Sequence, residues 1–177
     1  FIDVVDGRIA SVPEVPMYTY TDYAANKRVE IMPADYKNQY QAVGTWLNES
    51  GYLRTNIAIM GDNSYQWLLA FYSIVCSNNI AVPMDKNFGS DTIRELLERC
   101  KCKAMFYSDN YEERAMVFRD EMGIAVYKLD EIETLVQEGA KLIESGRSVC
   151  TEQEFDSDAP AIIMFTSGTT GKNKGVV

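Results

Sequence analysis

Four times between Asn56 and Ser145 a short apolar run is followed by a longer stretch whose apolar residues recur at helical spacing. The runs are "NIAIM" (Asn56 to Met60), "IAVP" (Ile80 to Pro83), "KAMFY" (Lys103 to Tyr107) and "IAVYKL" (Ile124 to Leu129). Each is too short for a helix and rich in β-branched or aromatic residues, the pattern of a strand covered on both faces. The first is preceded by a helix predicted over Ala34 to Ser50, with Tyr36, Tyr40, Val43 and Leu47 on one face and Gly51 placed to end it. Tyr65, Leu68, Leu69, Tyr72 and Cys76 form a second stripe behind the capping residues Asp62, Asn63 and Ser64. Ile93, Leu96, Leu97 and Cys100 form a third after a start at Ser90 or Thr92. Helices are also expected over Tyr111 to Asp120 and over Asp130 to Ser145, the latter with Ile132, Leu135, Val136 and Ile143 inward. Strands alternating with helices through short connections pair in parallel by right-handed crossovers. The expected fold class is α/β, an open, doubly wound, mostly parallel sheet with helices on both faces.

The composition changes beyond that unit. "SGRSVCTEQEFDSDAP" (Ser145 to Pro160) is polar, acidic and turn-rich, and "AIIMF" then opens a new apolar run. We divide the chain into an α/β subdomain over residues 1–150, a linker over 151–160, and a hairpin over 161–177 that opens a further unit. A chain of 177 residues, 46% hydrophobic, can bury a sizeable core. Its net charge of −9 argues against nucleic acid or an anionic membrane as partner, since both call for clustered Lys and Arg. The longest apolar stretch, "WLLAFYSIVC" (Trp67 to Cys76), is too short to span a bilayer, so no integral membrane segment is expected. No signal peptide is visible, and the expected location is cytoplasmic. The oligomeric state is not legible.

The chain has no histidine, which removes Ser-His-Asp and Cys-His catalysis and imidazole metal ligands from these residues. Its four cysteines include Cys100 and Cys102 as C-x-C, which is not the C-x-x-C spacing of zinc or redox sites. Cys76 and Cys100 fall on apolar helix faces. We read the thiols as small hydrophobes in the core, and expect no metal site.

The chemistry concentrates in "IIMFTSGTTGKNKGVV" (Ile162 to Val177). Holding a polyphosphate requires many N–H donors converging at close range, which glycine permits because it lacks a Cβ and tolerates positive φ. Thr166, Ser167, Thr169 and Thr170 add hydroxyl donors, and Lys172 and Lys174 add charge with no carboxylate between Thr166 and Val177 to cancel it. In a chain of net charge −9 this is a local reversal of sign. The P-loop pattern G-x-x-x-x-G-K-[ST] is absent, because Asn173 stands where its second Gly would fall after Gly168 and Asn173 also follows Lys172. Two valines after Gly175 favour a strand, so strand–loop–strand is expected, without a helix N-terminus under the phosphates.

"FTSGTTGKNKGVV" resembles the phosphate-binding loop of the adenylate-forming (AMP-binding) superfamily, commonly aromatic-T-S-G-T-T-G-x-P-K-G-V. "IAIMGDNSYQWLLAFYSIVCSNNIAVPMDK" is similar to that family's strand–helix–strand segment, and "LVQEGAKLIESG" is similar to segments of its long-chain acyl-CoA synthetase branch. The resemblance runs from about residue 30 onward and departs at Asn173, where the family usually has Pro. It implies an N-terminal fragment of a larger adenylate-forming domain, inactive alone. The whole enzyme would be an acyl-CoA synthetase whose substrates are Mg2+-bound ATP, a small-molecule carboxylate (a fatty acid is the favoured guess) and CoA. It further implies that Thr166, Ser167, Gly168, Thr169, Thr170, Gly171 and Lys174 hold the β- and γ-phosphates, Lys174 being the catalytic residue of the set. The alternatives are an adenylation domain loading a carrier-protein thiol and a non-catalytic nucleotide- or phosphate-binding module.

Other polar and aromatic features have plainer readings. Trp67 is read as a core anchor of its helix. Asp85 and Lys86, at a strand's carboxyl end, are read as a surface ion pair. The acidic run "LDEIET" is read as a solvated helix start favoured by the macrodipole. No general acid or base stands out.

Overall fold

The computed structural model describes residues 1–22, 25–155, 158–166 and 174–176. At its centre lie four strands, β3 (Asn56–Met60), β4 (Ile80–Met84), β5 (Ala104–Tyr107) and β6 (Ala125–Lys128), in the spatial order β4-β3-β5-β6. All three pairings are parallel. The first strand of this sheet, β3, therefore sits between its two successors, and the direction of winding reverses at β3 and β5. This is the doubly wound sheet expected from the sequence.

Strand side chains alternate between two cores. Ile57, Ile59, Ala81, Ala104 and Phe106 face the layer of α2 (Pro33–Glu49), α3 (Tyr65–Val75) and α6 (Ile132–Glu144). Ala58, Met60, Val82, Met105 and Tyr107 face α4 (Ser90–Arg99) and α5 (Glu112–Met122). Burial on both faces explains the uninterrupted apolar runs of the strands.

Local chemistry sets some of the helix ends. Pro33 occupies the first position of α2, where no intrahelical N–H is needed, and Gly51 follows its end at φ +90. Ser64 caps α3, its Oγ accepting the N–H of Trp67 at 3.1 Å. Helix α4 begins at Ser90, one of the two starts read from the sequence, but without the expected side-chain cap. Its N-cap is Gly89, and neither Ser90 nor Thr92 supplies a side-chain cap. In α6, Ile132 is buried but Ile143 only half-buried, because the inward face is set lower down by Gly139. A Cβ at Gly139 would lie 1.9 Å from the carbonyl oxygen of Ala42, so α2 and α6 touch backbone to backbone there.

Three elements precede the alternating pattern and were not anticipated from it. Helix α1 (Ile2–Ser11) buries Val5, and β1 (Tyr18–Asp22) pairs antiparallel with β2 (Lys27–Ile31). Tyr18 meets the buried ring of Tyr36 edge-on at 4.7 Å, and Tyr20 stacks on Tyr65 at 5.4 Å.

The polar stretch after α6 is partly docked. Cys150 starts a 3-10 turn and is fully buried, donating its N–H to Thr45 Oγ1 at 3.0 Å, while Gln41 Nε2 donates to Thr151 Oγ1 at 2.7 Å. Further on, Ile162 forms a parallel bridge to Ala81 of β4. The Ala81 N–H donates to the Ala161 carbonyl, and its carbonyl accepts the Ile163 N–H, both at 2.9 Å. The chain then enters β7 (Met164–Thr166), which pairs with β8 (Lys174–Val176).

Candidate functional site

Strands β7 and β8 pair antiparallel, the two strands expected on either side of the Gly/Thr/Ser/Lys segment. Their register pairs Met164 with Val176, Phe165 with Gly175 and Thr166 with Lys174. Thr166 and Lys174 therefore stand opposite each other at the neck of the loop. Ser167, Gly168, Thr169, Thr170 and Gly171 lie outside the described residues, as do Lys172 and Asn173.

Two contacts anchor the hairpin to the sheet. The Ile162 bridge runs parallel to β4, so the chain travels toward the carboxyl ends of the strands before the loop begins. In open α/β sheets that is the side on which ligands bind. Phe165 packs against the α4–α5 core, and the Arg99 guanidinium lies over its ring, 5.9 Å from the centroid. A stacked guanidinium and a ring seated on a core hold the base of the hairpin firmly.

The other polar groups at the carboxyl ends neutralise one another. Asp62, after β3, pairs with Lys86, after β4, and accepts from Asn110 Nδ2 at 3.3 Å; its own N–H donates to Ser108 Oγ at 3.0 Å. The Lys86 hydrogen bond holds the Asp62 carboxyl below its ordinary value, and Asp62 raises Lys86. Lys128 pairs with Asp109 and Glu112, and Asp109 above all pushes it up. Lys86 is thus an ion-pair partner of Asp62, not of Asp85, whose Oδ1 accepts the Asn87 N–H at 2.9 Å. The expected Asp85–Lys86 pair is corrected. A lysine on a loop reaches the loop after the neighbouring strand more readily than its own chain neighbour, whose carboxylate is occupied in a turn.

Trp67 is also more than a core anchor. It is half-buried, stacked on Phe71 at 5.6 Å, and lines a cavity of about 490 Å3 with Tyr18, Tyr20 and Tyr65. Part of that cavity's wall belongs to the β1–β2 hairpin, which lies before Ala34, the first residue of the elements expected from the sequence. The period-two alternation of tyrosine and threonine in "YTYTD" is the signal that carried it.

All four cysteines are buried and unbridged, as expected of core thiols. Burial pushes Cys76 and Cys150 up to about 12. Among the described residues no three His, Cys, Asp or Glu side chains converge as metal ligands, and no helix is long and apolar enough to cross a membrane.

Residues 15–177 match the family model of the AMP-binding enzymes, and the chain belongs to that family. It is 25% identical over 143 residues to the 3-[(3aS,4S,7aS)-7a-methyl-1,5-dioxo-octahydro-1H-inden-4-yl]propanoyl:CoA ligase of Rhodococcus jostii (strain RHA1), covering 69% of this chain and 27% of that protein. It is 27% identical over 176 residues to the chloroplastic long-chain-fatty-acid--[acyl-carrier-protein] ligase AEE15 of Arabidopsis thaliana, covering 85% and 23%. The chain thus spans about a quarter of the length of these relatives. The fold matches the fatty acyl-adenylate ligase of L. pneumophila, solved in complex with acyl adenylate and pyrophosphate, with a TM-score of 0.75 and 18% identity over 99% of this chain and 29% of that one.

Proposed function

We propose that this chain is the N-terminal part of an ATP-dependent acid–thiol ligase. A carboxylate oxygen attacks the α-phosphorus of the substrate Mg-ATP, the bond to the β-phosphate breaks, and pyrophosphate leaves an acyl-adenylate. A thiol sulfur then attacks the acyl carbon and AMP departs. The observation that carries this is the family match running through the loop sequence, whose two ends the hairpin brings together as the Thr166–Lys174 pair. Charge builds on the departing pyrophosphate, and an ammonium with converging amide and hydroxyl donors stabilises it. Thr166, Ser167, Gly168, Thr169, Thr170, Gly171 and Lys174 take that role, Lys174 supplying the charge-assisted contact.

A carboxylic acid is the substrate class, with a fatty acid the first candidate. CoA is the favoured thiol. The likeness to a ligase whose name carries an acyl-carrier protein keeps a carrier-protein thiol as the second reading.

The test is carboxylate-dependent ATP–pyrophosphate exchange by the complete enzyme. Lys174→Ala is expected to lose on the order of 10²-fold. Asn173→Pro should stay within about threefold, since the family's usual Pro has no N–H to offer. Exchange that no carboxylate stimulates would instead favour a non-catalytic phosphate-binding module. Normal exchange in Lys174→Ala would remove the role given to that lysine.

A further inference from the structure

Strand β1 and the start of α3 enclose a chamber walled by aromatic rings. Tyr18 and Tyr20, two apart on β1, lie on the same side of the strand, and both meet Tyr65 of α3, with ring centroids 6.0 and 5.4 Å away. Trp67, two residues further along the helix, is held by Phe71, on which it stacks at 5.6 Å. All four side chains line the cavity of about 490 Å3, a size that takes a small organic molecule. Tyr18, Tyr20 and Trp67 stay half-buried there, whereas Tyr36 beside them is closed off completely. A second cavity, of about 550 Å3, shares Tyr20, Asn63, Ser64 and Tyr65 with the first and adds Asp22 at the end of β1.

The lining of the two cavities carries charge of one sign. Among the described residues no Lys or Arg lines either, and Asp22 is the single charged side chain in the walls. Lys27 stands opposite Asp22 in the β1–β2 ladder but lines neither cavity. Burial first, then the charges of Asp22 and Glu133, raises the Tyr20 phenol. Burial, the neighbouring phenols, and then Glu133 and Asp35 raise Tyr65. The amino end of α3 opposes this field with about half an elementary charge, part of it met by the Ser64 hydroxyl on the Trp67 N–H. A whole carboxylate charge in the wall, with two more acting on the rings, outweighs it.

An aromatic face is the negative pole of its ring, so the rings and the carboxylate attract the same kind of ligand, a cation. Tyr65 Oη already donates to Gln39 Oε1 at 2.8 Å, and Ser64 Oγ is taken by the Trp67 N–H, which leaves the rings as the main wall. A trimethylammonium group suits such a wall, because it spreads its charge over methyl groups and has no N–H that calls for an acceptor. We propose that the cavity of Tyr18, Tyr20, Tyr65 and Trp67 is a binding site for a small organic cation carrying a quaternary ammonium group, with Asp22 at its edge as counter-charge. The site uses none of the residues assigned to the phosphates, so its test is independent of the ligase reading.

The intact protein is mixed with choline at constant ionic strength, and saturation-transfer NMR reads the methyl protons of the ligand. The neutral isostere, in which a tert-butyl group replaces the trimethylammonium, is run beside it. Choline should bind about tenfold or more tightly than the isostere. Tyr20→Phe should keep that affinity and Tyr20→Leu should weaken it about fivefold, because the ring and not the hydroxyl holds the cation. Asp22→Asn should weaken choline about threefold and leave the isostere unchanged. Circular dichroism checks the variants, and the comparison of the two ligands on the parent protein decides the question even where Tyr20→Leu does not fold. No saturation transfer to choline, an isostere bound as tightly as choline, or a folded Tyr20→Leu variant that binds choline like the parent would overturn the proposal.

Discussion

Two glycines in helices show how differently the same residue can be constrained. Gly139 of α6 is pressed against the backbone of α2, where a Cβ would meet the Ala42 carbonyl oxygen at 1.9 Å. Backbone cannot rotate aside as a side chain can, so Gly139→Ala must push the helices apart. We expect it to cost about 1–3 kcal/mol in urea unfolding. Gly7 of α1 has open space where a methyl group would stand, with nothing within 4 Å, and its backbone is helical. Gly7→Ala should stabilise by about 0.5–1 kcal/mol, since alanine loses less freedom on entering a helix. If both changes act alike, the α2–α6 contact is not the constraint described. Neither role is legible in the sequence, where both glycines interrupt apolar periodicity in the same way. Tyr36, Tyr40, Val43 and Leu47, by contrast, are all fully buried where their spacing put them, because one stripe of one helix needs no knowledge of its partners.

At the scale of elements, end signals worked where they had a local mechanism. Ser64 is the clearest case. Its hydroxyl satisfies the Trp67 N–H, and Ser64→Ala should cost about 1 kcal/mol in thermal or urea unfolding, with Ser64→Asp restoring most of it. A loss under a few tenths of a kcal/mol would mean water replaces the cap freely. Helix α4 shows the opposite, starting behind Gly89 with no side-chain cap, because its place is fixed by Ile93, Leu96 and Leu97 in the core. The β1–β2 hairpin went unread because half-buried tyrosines stand in β1 where aliphatic residues are usual, and charged residues fill most of β2. The tyrosines find their burial on α2 and α3, which are distant in sequence. For the candidate site, the order of residues in the loop and the strand on each side were legible. The seat of Phe165 under Arg99 was not, since it joins elements more than sixty positions apart.

Taken as a whole, the molecule keeps neutral thiols and phenols inside, and that sets its response to alkali. Cys76 and Cys150 are raised from 9.0 to about 12, chiefly by burial, and Tyr36, Tyr40 and Tyr65 are raised by the same cause. Between 9.0 and about 12 the unfolded thiols have lost their protons while the native ones keep them. The native state then binds more protons, so stability is intact below the lower value and falls as pH rises through the window. Each thiol contributes a slope of up to about 1.4 kcal/mol per pH unit. Urea midpoints measured across that window should decline, and Cys76→Ala with Cys150→Ala should flatten the decline. A midpoint independent of pH there would contradict the burial that raises these groups.

The bridge at Ala81 also bears on how this molecule behaves toward others of its kind. Along β4, Ile80 donates inward to Thr55, so Ala81 and Pro83 present their backbone outward. The Ala81 N–H is already given to Ala161, and Pro83 has none to give. The outer margin of β4 thus lacks a free donor at both outward positions of its middle, and a stray strand arriving edge-on finds nothing to zip onto. Pro83→Val should supply the missing donor within an apolar, strand-forming run. Light scattering on warming should then rise earlier than in the parent protein, even if the variant's unfolding midpoint is unchanged.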